Sequence, residues 1–189
     1  MQAEDMATAS PPTLYTIGHS NVPAEKIVDL LRQFQIALLV DVRSQPYSKY
    51  SSQFNREIFA QTLREAVIGY RYMGDILGGR PNDPSVYKDD RIPEEKNNRQ
   101  RALDYARMMN RAEFQQGIRE LMDLVNSRRV AVMCSEENPA VCHRHLLIGC
   151  YLAEKGCGVL HIRGDGSIIT ESALAGEVRD PNTDQLSLF

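Results

Sequence analysis

The stretch Val130–Gly149, VAVMCSEENPAVCHRHLLIG, constrains the chain most. Val130–Met133 is a short apolar run rich in β-branched residues, which reads as a buried strand. Asn138 can cap a helix, Pro139 suits its first position, and Leu146, Leu147 and Tyr151 recur at helical spacing. A strand ending at Cys134 and leading directly into a helix is one half of an alternating α/β architecture.

The same alternation runs through the rest of the chain. Leu14–Ile17 reads as a strand, followed by a helix from Pro23 to Gln35 with Ile27, Leu30, Leu31 and Phe34 on its apolar stripe. Ile36–Val42 is almost continuously apolar, the signature of a parallel strand covered on both faces. A helix capped by Asn55 runs to Val67, and Tyr70–Met73 is a further short strand. Gly74–Asn98 is irregular and reads as a flap, with Arg80, Lys88 and Arg91 as its contacts. Helices are expected over Arg99–Met109 and Glu113–Arg128, then a strand at Gly158–Ile162. Asp165-Gly166 turns the chain into an edge hairpin at Ser167–Thr170. The expected fold is a single α/β domain, a three-layer sandwich with a mainly parallel sheet and helices on both faces. Residues 13–170 form it, between a disordered leader (1–12) and a flexible tail (171–189).

Ligands in such sheets bind beyond the carboxyl ends of the strands. That edge gathers His19 and Ser20, Asp41 and Arg43, and Cys134 with Cys142, His143 and Arg144. A helix N-terminus beside Cys134 favours an anion and a thiolate, and Arg144 adds a planar donor for phosphate or carboxylate. Glu136 or Asp41 could serve as general base and His19 or His143 as acid, with Arg43 and Arg144 holding the anion. Cys134 could instead act as a nucleophile. Cys134, Cys142, His143, His145, His161 and His19 are also metal-ligand types, but the paired Cys-x-x-Cys units of structural zinc sites are missing. No metal and no cofactor is therefore expected. The net charge of −3 gives no global attraction to nucleic acid or anionic membrane, which leaves only a local basic cleft for such a ligand. No apolar run is long enough to span a membrane. With no secretory signal and all four cysteines confined to residues 134–157, reduced thiols in the cytoplasm are expected.

MCSEENPAVCHR resembles a motif of the domain of unknown function 488 family. So do TIGHS at Thr16–Ser20, DVRSQPYS at Asp41–Ser48, LGG at Leu77–Gly79 and HIRGDG at His161–Gly166. The likeness spans roughly Leu14 to Ile169. It implies the fold and a shared site. Cys134, Glu136, His143, Asp41 and His19 are the catalytic candidates, and Ser20, Arg43, Ser48, Cys142 and Arg144 the anion- or substrate-binding ones.

The chain ends in Gln185-Leu186-Ser187-Leu188-Phe189, which resembles the pentapeptide that docks bacterial DNA polymerases and repair proteins on the replicative sliding clamp. Gln185, Leu186, Leu188 and Phe189 would be the partner-binding residues, presented on a polar spacer. The expected function is a clamp-associated bacterial protein of DNA repair or DNA metabolism, an enzyme of hydrolase or lyase type on a nucleic-acid or nucleotide substrate. A rhodanese-like thiol or sulfur-transfer enzyme and a non-catalytic DNA- or partner-binding module are the alternatives.

Overall fold

Apolar strands without polar alternation can satisfy both faces only at the centre of a sheet. A computed structural model, which describes residues 11–95, 99 and 101–177, places them there. Strands β1 (Thr13–Gly18), β2 (Leu38–Asp41), β3 (Gly69–Tyr72), β4 (Val130–Cys134), β5 (Gly158–Ile162) and β6 (Ile168–Thr170) form one sheet in the order β3-β2-β4-β1-β5-β6. All neighbours are parallel except β5 and β6, the expected edge hairpin.

Period-two alternation sorts each strand's side chains between two cores. Tyr15, Ile17, Leu39, Ala131 and Met133 pack with helices α1 (Ala24–Gln33) and α2 (Arg56–Glu65). Leu14, Val40, Val42, Val130 and Val132 pack on the other face. There they meet α3 (Gly74–Leu77), α4 (Tyr105–Met109), α5 (Ala112–Ser127) and a helical segment that begins at Arg144 and continues as α6 (Cys150–Glu154). The α/β sandwich with helices on both faces is thus the observed fold. Among the described residues no helix is long and apolar enough to cross a membrane.

Three local expectations are corrected. The expected flap begins with α3 and then buries Val86 and Tyr87 in the core. Tyr87 donates its hydroxyl to the Pro81 carbonyl at 2.8 Å and bridges to Leu103. That bridge interrupts the expected Arg99–Met109 helix, and α4 restarts where the Asp104 side chain accepts the Arg107 N–H at 3.1 Å. Asn55 stands at the start of α2, but its side chain accepts the Ser48 N–H at 2.8 Å and makes no bond to the helix.

The folded unit also extends past residue 170. Helix α7 (Glu171–Glu177) follows β6, with Leu174 buried against the domain. Glu171 fixes it in place, accepting from His145 Nδ1 and His161 Nε2, each at 2.8 Å. His161 Nδ1 takes the Thr16 hydroxyl proton at 2.8 Å, so His161 is neutral with its proton on Nε2. Burial lowers the His161 pKa in keeping with that form. Thr16 and His161 are register partners on adjacent strands, which brings them together. The peptide Gln185–Phe189 and most of the leader lie outside the described residues, whereas the Pro12 carbonyl is tied to the Gly158 N–H at 2.8 Å.

This network titrates. Burial alone would raise the Glu171 pKa, but the bonds from His145 and His161 hold it at about 2, against an ordinary 4.5. A depressed carboxylate contributes stability that is full above its unfolded pKa and disappears as pH falls toward the folded one. Glu171→Gln should therefore unfold at a lower temperature than wild type at neutral pH. Its loss of stability from pH 4.5 down to about 2 should be shallower. Equal slopes for the two proteins across that window would contradict the assignment.

Candidate functional site

The site forms around the loop that leaves β4. Gly18 ends β1 beside Cys134, and any Cβ there would run into the Glu136 backbone, so only glycine permits the approach. The His19 and Ser20 N–H groups donate to the carbonyls of Cys134 and Ser135 at 3.0 and 2.8 Å. Glu137 binds Arg163 through two bonds of 3.0 and 2.9 Å and accepts the Gly164 N–H. Arg144 holds the loop from beneath. It is fully buried and donates to the carbonyls of Glu136 and Glu137 and to the Thr16 hydroxyl. The expected anion-binding arginine is therefore turned away from the pocket and serves as a backbone clamp.

The expected helix from Asn138 is also replaced. Asn138 caps a single 3-10 turn, Pro139–Val141, by accepting the Ala140 N–H. Cys142 is then extended (φ −115°, ψ 141°), and Arg144–Gly149 resumes as a π-helix. The helical segment that runs on into α6 therefore begins after Cys142 rather than at Pro139. The break instead turns Cys142 and His143 inward. His143 Nε2 donates to the Val42 carbonyl at 3.0 Å, which leaves Nδ1 facing Cys134 Sγ at 3.6 Å and Cys142 Sγ at 3.9 Å. Gly79 packs flat on this ring, since a Cβ there would lie 2.6 Å from His143 Cγ.

The two thiols titrate as a unit. The Cys134 thiol is pushed up by its hydrogen bond with Cys142 and by burial. Burial raises the Cys142 thiol too, but bonds to Cys134 and His143 and the nearby charges of His143 and Arg144 pull it down overall. The first proton thus leaves the pair easily and the second is held. The single negative charge belongs to the pair of buried thiols.

Asp41, Arg43 and His19 form a second group. Asp41 is fully buried and accepts from the Arg43 backbone, from Arg43 Nε and Nη2, and from the Tyr70 hydroxyl. Arg43 Nη1 donates to His19 Nε2 at 3.1 Å, and His19 Nδ1 donates to the Ser20 carbonyl. The His19 ring stacks on Phe54. Burial, then the Arg43 charge, push its pKa down to about 4, so it is neutral near pH 7. Neither Asp41 nor His19 has a free position from which to move a substrate proton.

Cys134, Glu136, His143 and Arg43 line one small cavity of about 80 Å³, together with Ser44 and Arg80. Arg80 and Glu136 also wall a larger groove of about 700 Å³, where Lys88 and Arg101 add positive charge. Ser20 faces a different cavity near Arg163. Ser48 accepts the Tyr50 and Ser51 N–H groups within its own loop. Arg91 pairs with Glu94 at 3.9 Å. Ser44, inside the DVRSQPYS motif, and Arg101, inside the expected Arg99–Met109 helix, were not singled out from the sequence, and folding brings them to this edge.

A family model described as "Domain of unknown function DUF488" matches residues 23–151, more than half of the chain. No curated protein and no solved structure matches it.

Arg144→Ala should strand the Glu136 and Glu137 carbonyls, at about 1–3 kcal/mol for each group left unpaired. Arg144→Lys should recover only part of this, because a point charge lacks the planar fork. Chemical denaturation of the three proteins checks the ranking. Full stability in Arg144→Ala would contradict the clamp.

Proposed function

The chain belongs to the DUF488 family, and from that premise we propose that it is an enzyme of hydrolase or lyase type acting on a nucleic-acid or nucleotide substrate at the end of β4. Its C-terminal peptide would dock it on the bacterial sliding clamp. One observation carries the reading of the site. The basic groove and the thiol cavity share Arg80 and Glu136 as walls, so a ligand in the first would lie beside the second. The groove's volume of about 700 Å³ lies within the roughly 300–1,000 Å³ of small-ligand sites. Arg80, Lys88 and Arg101 suit a phosphate-bearing ligand, and an exposed carboxylate at Glu136 suits a general base beside it. Asp41, Arg43 and His19 become the rigid support of the site rather than its acid and base.

A thiol enzyme is the second reading. It rests on the His143 Nδ1 to Cys134 Sγ distance of 3.6 Å, with the ring oriented by the Val42 carbonyl. Persulfide or a covalent substrate adduct on Cys134 would select it. Undiminished function after substitution of Cys134 and Glu136 would select a binding module.

Clamp docking is supported by the sequence QLSLF at the end of the chain as given. Leu188 and Phe189 would fill an apolar pocket while Gln185 makes polar contacts.

Two measurements test these proposals. In titrations with a short single-stranded oligonucleotide, Arg101→Ala should weaken binding and reduce the slope of log affinity against log salt by roughly one. An unchanged slope and affinity would contradict the groove as the phosphate site. Removal of Gln185–Phe189 should abolish binding to the purified clamp and leave the melting temperature nearly unchanged. Clamp binding that survives the truncation, or is missing in the intact chain, would overturn the docking proposal.

A further inference from the structure

Among the described residues, two groups of side chains bring three metal-ligating atoms within 4.8 Å of one another: His145, His161 and Glu171, and Cys134, Cys142 and His143. The first is complete as it stands. Both carboxylate oxygens already take an imidazole N–H at 2.8 Å, and the remaining His161 nitrogen is held by Thr16. The second is different. Its sulfur–nitrogen separations of 3.6 and 3.9 Å are long for strong hydrogen bonds. A zinc ion shared by the three donors would hold them at comparable separations. Zn–S near 2.3 Å and Zn–N near 2.0–2.1 Å at the tetrahedral angle give an S···N edge of about 3.6 Å.

We propose that Cys134, Cys142 and His143 bind a zinc ion at the floor of the pocket. Two thiolates and an imidazole are a donor set suited to zinc. The outer contacts fit as well. His143 donates its other N–H to the Val42 carbonyl, the arrangement that fixes a metal-binding tautomer and leaves Nδ1 for the ion. Gly79 on one side of the ring and the extended backbone at Cys142 hold the donors in place. Cys142 lies fully buried behind the site, while Cys134 and His143 reach the cavity. Three protein ligands therefore leave the fourth position facing the pocket that Glu136 lines, the layout of a catalytic rather than a structural zinc centre. The absence of Cys-x-x-Cys pairs bears only on closed four-ligand sites. The inference deepens the proposed hydrolase-type function and rests on it only in taking this pocket as the reacting one.

The test uses the full chain, purified under reducing conditions, stripped with chelator and reloaded with Zn²⁺ or Co²⁺. Elemental analysis should return one zinc per chain. The cobalt form should show tetrahedral d–d bands and thiolate-to-cobalt charge transfer. Cys134→Ser and Cys142→Ser should each lower zinc affinity by more than the roughly 10–100-fold that loss of an outer-shell partner costs. Cys157→Ser, whose thiol bonds the Pro12 carbonyl, should bind as wild type does. Because a cysteine variant could misfold, the wild-type cobalt spectrum is the deciding measurement. An octahedral spectrum without thiolate charge transfer would overturn the proposal. So would a metal-free wild type, including one that isolates with a Cys134–Cys142 disulfide. Oligonucleotide binding in the groove separates the two ideas. Binding without zinc defeats the metal site alone, and zinc without binding defeats the substrate reading alone.

Discussion

The loop that leaves β4 has few intrinsic reasons to hold one shape, and the buried guanidinium of Arg144 is what holds it. Its planar fork meets the consecutive carbonyls of Glu136 and Glu137 while its Nε meets Thr16, so one side chain ties the loop to the sheet. A buried charge of this kind is tolerated only when its donors are satisfied, and among the described residues no buried side-chain polar atom lacks a partner. From that anchor the geometry propagates in both directions. Toward β1, the fixed carbonyls of Cys134 and Ser135 receive the His19 and Ser20 N–H groups. Toward β5, Glu137 is held to Arg163 and Gly164. The backbone positions of Cys134 and Glu136 follow from these ties.

Charge at the carboxyl edge falls into two groups. Asp41 neutralises Arg43, burial and then the Arg43 charge keep His19 neutral, and all three are buried. The pocket beside them keeps groups that still have room to act: the Cys134 and His143 atoms that face each other, the Glu136 carboxylate, and the cations of the groove. A low-dielectric, fully bonded support holds the groups beside it in place without reorganisation.

The sheet was legible because its strands carry their own signal. Ile36–Val42 and Val130–Met133 are apolar without interruption, and such runs have few other ways to be buried. The carboxyl-end rule then placed His19, Arg43, Cys134 and His143 on one edge correctly as neighbours. Their roles were not legible, because a role depends on where a side chain's bonds go. Arg144 follows His143 in sequence, yet the inward turn at Cys142 sends the two side chains to different tasks. Tyr87 sits in a stretch full of glycine and proline and still reaches the core, since one aromatic ring can bury itself without any period. Glu171 read as the start of a polar tail, because its two histidine partners lie far away along the chain.

In the proposed function, the groove walled by Arg80 and Glu136 delivers a phosphate-bearing ligand to the pocket at the end of β4. A crystal structure of the full chain with a bound nucleoside monophosphate tests it most directly. The phosphate is expected against Arg80, Lys88 or Arg101, with the rest of the ligand reaching Glu136 and Cys134. A nucleotide seated at the opposite edge of the sheet, in the cavity beside Arg128 and Arg129, would contradict it.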